Sequence, residues 1–139
     1  MKLSEYFEKM DGHGVIATSD SKGKVGAAVY ARPHFINEKT VAFVMADRLM
    51  HKNLQSNPHA SYLFMESDKE DAGKRIYLTK TKEEADGKRM DEMLRKDTCP
   101  ADEGYINGKR YLVYFKIDKV LPLVGVREKK RVSVSPATA

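Results

Sequence analysis

Residues 28–58 read AVYARPHFINEKTVAFVMADRLMHKNLQSNP, and the way this stretch alternates and stops decides the fold. Val25 to Ile36 has the alternating, β-branched pattern of a strand. Pro33 cannot donate to a ladder, so that strand lies at an edge or carries a bulge near its end. After Asn37-Glu38-Lys39 comes Thr40 to Ala46, in which Val41, Phe43 and Met45 alternate with Ala42, Val44 and Ala46. A strand apolar on both faces needs burial on both sides, by a barrel interior and by something else such as a second subunit. Asp47 to Ser56 then reads as a helix, stopped by Asn57-Pro58.

Toward the N-terminus, Leu3, Phe7 and Met10 fall at helical spacing within residues 2–10. Asp11-Gly12-His13-Gly14 breaks that helix, Val15 to Thr18 forms a strand, and Ser19 to Lys24 is a hairpin loop. Toward the C-terminus, His59 to Glu66 is a strand, Ser67 to Gly73 a polar loop and Arg75 to Lys80 another strand. Thr81-Lys82-Glu83-Glu84 is a capping box, opening a helix to about Lys96. Asp97 to Gly108 is a loop, and Arg110 to Val124 is the last strand. The reading is one domain over residues 1–125 and a polar tail over 126–139.

Six strands with short connections and helices inserted as plugs give a mainly β (α+β) antiparallel barrel. A Rossmann arrangement does not fit, because no strand leads into a G-x-G-x-x-G turn. The chain has 139 residues and 15.8 kDa, with 41% hydrophobic and 32% charged residues, ordinary values for a globular protein. One cysteine, Cys99, excludes an internal disulfide. With four histidines it offers no zinc-ligand spacing, and the usage fits a reducing, cytoplasmic setting. The first ten residues lack an apolar segment of signal-peptide type, and the longest apolar run, Val41 to Ala46, is too short to span a bilayer. A net charge of +5 suits a phosphate-bearing ligand better than nucleic acid.

Two neighbouring pieces carry chemistry. Along the second strand Tyr30, Arg32 and His34 share one face, and Val29, Ala31 and Phe35 the other. An aromatic ring, a guanidinium and an imidazole on one face suit a planar anionic ligand. On the helix, Arg48, His51, Lys52 and Gln55 share a side, while Met50 and Leu54 point to the core. A basic face at a helix N-terminus is a phosphate site. Asp47 is placed to be the N-cap, where its carboxylate would compete for the same N–H groups. Read alone, such a face is also ordinary solvated surface, Tyr30 is also a packing residue, and His13 sits in a turn. Glu83-Glu84 and Asp91-Glu92 lie on exposed helix positions, and Cys99 has no activating histidine on its own element.

Gly14-Val15-Ile16-Ala17-Thr18, Gly23-Lys24-Val25, Ala28 to Pro33 and Asp47 to Pro58, taken together, resemble the pyridoxamine 5′-phosphate oxidase-like family of FMN-binding split barrels. The resemblance covers about residues 5–124. It implies a homodimeric six-stranded split barrel with FMN in a cleft at the dimer interface. It further implies that strand backbone at Val29, Tyr30, Ala31 and Arg32 meets the flavin ring, with the Arg32 side chain on the phosphate. From the helix, Asp47, Arg48, His51, Lys52 and Asn53 complete the set. Where many relatives carry a basic pair this chain has Leu49-Met50, with His51 and Lys52 displaced by two positions. The tail after Gly125 lacks the substrate-phosphate residues of a vitamin B6 enzyme. The function implied is an FMN-dependent oxidoreductase acting on a small molecule, with no catalytic side chain named. The alternatives are a non-enzymatic FMN carrier or electron-transfer protein, and a cofactor-free or haem-binding dimer.

Overall fold

Pro33 divides the second predicted strand in two, and that break organises the molecule. In a computed structural model, which describes residues 1–85 and 109–125, the elements are α1 (Leu3–Lys9), β1 (Gly12–Ser19), β2 (Val25–Tyr30) and β3 (His34–Asn37). They continue with β4 (Thr40–Ala46), α2 (Leu49–Ser56), β5 (His59–Glu66), β6 (Gly73–Ala85) and β7 (Arg110–Pro122). The strands form one antiparallel sheet in the order β2-β1-β5-β6-β7-β4-β3.

Consecutive strands β2 and β3 therefore lie at opposite edges of the sheet. Laid flat, seven strands would put those edges about 29 Å apart. The chain from Tyr30 to His34 reaches at most about 14 Å. The sheet must roll up until its edges approach, and β2 and β3 remain unpaired to each other. That is a split barrel. Six predicted strands become seven because residues 31–33 leave the ladder.

The interior is filled by Ile16, Val41, Phe43, Met45, Tyr62, Phe64, Ile76, Leu78, Val113 and Phe115, with Tyr6 and Phe7 from α1 and Met50 and Leu54 from α2. Both faces of β4 are buried, as its sequence requires, yet within a single chain. Ala42 and Val44 join Leu112 and Tyr114 in a second apolar cluster. Gly14 leaves room for Tyr62, since a Cβ there would lie 1.9 Å from the phenol oxygen. The Tyr62 hydroxyl then donates to the carbonyl of Ala31 at 3.0 Å, holding the β2–β3 connection from beneath.

Three local expectations are corrected. His13 belongs to β1 rather than to a turn. The capping box at Thr81 opens no helix, because residues 81–85 continue β6, and past a register shift at Thr81 residues 82–85 pair with β7, Ala85 facing Tyr111. The pairing of residues 82–85 with β7, resumed after the register shift, outweighs the local cap signal. Glu83 and Glu84 are thus strand residues. The remainder of that predicted helix, Asp91-Glu92, Cys99 and the tail lie outside the described residues. Among the described residues no helix is long and apolar enough to cross a membrane.

Candidate functional site

Helix α2 is laid against β1 and β2 by its apolar side. Gly26 permits the approach: a Cβ there would meet Met50 Cε at 2.6 Å and Leu49 Cδ2 at 3.1 Å. Met50 and Leu54 are buried as the sequence predicts, and the Asn57 N–H closes the helix on the Asn53 carbonyl at 3.0 Å. So Leu49-Met50 is a packing surface. The Met50 sulfur accepts from Thr18 Oγ1 at 3.3 Å, and Thr18 Oγ1 accepts from Asn53 Nδ2 at 3.1 Å. Asn53, 4% exposed, ties the helix to β1 and has its amide nitrogen turned inward.

The N-terminus of α2 differs from the expectation in one informative way. Arg48, not Asp47, is the N-cap, with extended backbone and no side-chain capping bond, and the first turn holds no acidic residue. Asp47 stands one position too early, its N–H donating to the Lys109 carbonyl at 3.1 Å. The expected competitor for the first-turn N–H groups is thereby displaced. Arg48 and Lys52 are exposed. A helix opening of this kind, with two cations beside it, has the donor chemistry of a phosphate site.

His51 belongs to a different group. It is 6% exposed and stacks on Tyr111, ring centroids 3.9 Å apart and 6° from parallel. Its Nε2 lies 3.0 Å from Glu83 Oε2, and its Nδ1 lies 3.8 Å from Asp47 Oδ1. Gln55 Nε2 donates to Glu83 Oε1 at 3.0 Å and to the His51 carbonyl at 3.0 Å. Lys80 Nζ meets Glu83 Oε1 at 2.5 Å. Burial alone would raise the Glu83 pKa; the bonds from Lys80, Gln55 and His51 outweigh it and bring the carboxyl down to about 2. The predicted basic face is therefore split, with Arg48 and Lys52 outside and His51 folded into a network with β6 and β7. Sequence reading missed Glu83 and Tyr111, whose place in the network follows from the pairing of β6 with β7.

The strand side is split as well. Tyr30 is half-buried, edge-on to Phe43 with ring centroids 6.1 Å apart. Burial pushes its phenol up to about 12, and the charge of Arg48 works against that rise. It is at Gly26, against Leu49 and Met50, that β2 and the start of α2 are brought together. Val29 points the other way, 71% exposed. With Ala31 and Arg32 outside the ladder, the single face predicted for Tyr30, Arg32 and His34 does not form. Arg32 Nη1 donates to the carbonyls of Phe7 at 2.8 Å and Met10 at 3.3 Å, capping the C-terminal end of α1.

No protein-family model matches this sequence, and no curated protein does. Solved structures do. An FMN-binding protein from Syntrophomonas wolfei subsp. wolfei superposes with a TM-score of 0.70 at 23% identity, over 91% of this chain and 86% of that one. An F420 reductase gives a TM-score of 0.68 at 13% identity, over 84% and 94%. A candidate pyridoxamine 5′-phosphate oxidase from Lactobacillus delbrueckii gives 0.64 at 11%, over 87% and 92%. With the rolled, open sheet and its edges at β2 and β3, these likenesses make the fold of this chain the split barrel.

Proposed function

We propose that this protein binds FMN with the phosphate at the opening turn of α2, and that it is an FMN-dependent oxidoreductase acting on a small molecule. The observation that carries the reading is the N-terminus of α2, with Arg48 at a cap position that has no side-chain cap, held against Gly26 of β2 through Leu49 and Met50. Arg48, Lys52 and the first-turn N–H groups suit a phosphate. Backbone at Val29, Tyr30 and Ala31 suits the edge of a planar ring. Arg32 enters this set with its Nη1 committed to α1, and Asn53 with its amide turned inward. Bound flavin supplies the redox chemistry, and the chain supplies binding, orientation and exclusion of water. The fold shared with an FMN-binding protein and an F420 reductase supports a flavin over another phosphate ligand.

The assembly proposed is a homodimer with the cofactor at its interface. The outer positions of β2, Val25, Ala27 and Val29, form an exposed apolar strip, with Val25 and Val29 at 70% and 71% exposure. Such a strip on an edge strand is what a second copy would cover. FMN titration followed by flavin fluorescence tests the reading. Arg48→Ala is expected to weaken binding by about 1–3 kcal/mol; unchanged affinity would put the phosphate elsewhere. Anaerobic assays with NADH, NADPH and a reduced deazaflavin separate an oxidoreductase, reduced by at least one donor, from a carrier reduced by none.

A further inference from the structure

On the outer face of the sheet, past the C-terminal end of α2 at Asn57, a groove of about 280 Å³ opens between the β1–β2 hairpin and strands β5 and β6. Ala17, Val25 and the ring of Tyr77 give it apolar walls, and Ser19, His59 and Ser61 stand among them. Among the described residues no lysine, arginine, aspartate or glutamate lines it. Its polar groups fall into two sets. In the first, Asn57 Oδ1 accepts the His59 N–H at 3.1 Å, Asn57 Nδ2 reaches Ser19 Oγ at 3.5 Å, and the Ser19 hydroxyl donates to the Asp20 carbonyl at 2.9 Å. In the second, His59 Nε2 and the hydroxyls of Ser61 and Tyr77, which face each other across β5 and β6, have no hydrogen-bond partner among the described residues.

The other ring nitrogen of His59 is held from behind. Thr79 Oγ1 donates to Asp118 Oδ2 at 2.5 Å, and Asp118 Oδ1 lies 3.5 Å from Lys116 Nζ. Thr79 has one hydroxyl proton and a carboxylate only accepts, so the contact of Thr79 Oγ1 with His59 Nδ1 at 3.3 Å uses the proton of the imidazole. The neutral ring then carries its lone pair on Nε2. An oriented acceptor and two hydroxyls around an uncharged slot suit a neutral flat ring with a hydrogen-bond donor. An anion would give up its hydration there with no cation in the lining to replace it. The volume, at the lower end of small-molecule pockets, is room for a single ring. We propose that this groove binds a small neutral aromatic molecule of the phenol class, its O–H donating to His59 Nε2 and its ring against Tyr77. Thr79 and Asp118 are positioning residues that hold the imidazole in the accepting tautomer. The site does not depend on the reading of α2 as a flavin site.

The test is an NMR titration of the full chain with phenol, without FMN, at pH 8, above the ordinary imidazole range. Saturable shifts are expected at Ala17, His59, Ser61 and Tyr77, with the side-chain nitrogen signals of His59 showing the proton on Nδ1. Anisole, the same ring without an O–H, and benzoate, an anion, are each expected to bind about fivefold more weakly than phenol. His59 is exposed, and His59→Ala is expected to bring phenol down to the affinity of anisole. Thr79→Val should redistribute the His59 tautomers and weaken phenol while leaving anisole unchanged; a loss shared equally by both would reduce Thr79 to packing and overturn its positioning role. Phenol and anisole binding alike to the wild type would overturn the proposal. So would the absence of saturable shifts at these residues, whether a second copy closes the groove or nothing enters it. Failure of phenol to bind leaves the flavin reading standing, and failure of FMN to bind leaves this one.

Discussion

Arg32 and Arg48 illustrate how far a residue type carries at the smallest scale. Both are arginines in the right stretch, and the sequence alone gives them one task. The structure gives Arg32 Nη1 two carbonyls at the end of α1, while Arg48 occupies the N-cap position of α2 with no capping bond from its side chain. Arg32→Ala should therefore lower stability by about 1.5–3 kcal/mol, the usual worth of bonds from a charged donor. Chemical denaturation would register this as an earlier midpoint with or without FMN; an unchanged midpoint would mean that the cap contributes nothing. Asp47 shows the opposite lesson. Shifted by one residue from the cap position, it changes from a competitor of the ligand to a neighbour of His51.

At the scale of elements, α2 was legible because its apolar positions, its Asn57-Pro58 stop and its cationic opening all agree. The split within its polar face was not, since nothing local says that Tyr111, sixty residues on, offers His51 a ring to stack on. Likewise Thr81-Lys82-Glu83-Glu84 satisfies the local rule for a helix start, and only pairing with β7 makes it a strand. The Glu83 network that results has a pH signature. Its folded pKa of about 2 lies below the unfolded value near 4.5. The stabilisation is thus fully present above about pH 4.5 and is lost as pH falls toward 2. In thermal melts from pH 7 to pH 3, Glu83→Gln should start lower than wild type, with the gap narrowing on acidification. A gap that stayed constant would show that Glu83 has no depressed pKa.

For the whole molecule, the barrel could be read because alternation, Pro33 and the doubly apolar Thr40–Ala46 run each constrain pairing. The split at residues 31–33 followed from Pro33 only as an irregularity, since one sequence does not say which strands are neighbours. Burial on both sides of β4 was foreseen, but Leu112 and Tyr114 of the same chain share in it. The strip left exposed is instead on β2. If a second copy covers it, Val29→Asp should shift the protein from dimer to monomer in light scattering and weaken FMN binding together. A monomeric wild type would remove the dimer from the account.

The most direct measurement is the visible spectrum and FMN titration of the purified protein under anaerobic conditions. The expected result is a flavin spectrum, present on purification or acquired stoichiometrically with added FMN, and weakened binding in Arg48→Ala. A protein that has no flavin bands and leaves the fluorescence of added FMN unchanged would contradict the flavin site at α2 and leave only the split barrel standing.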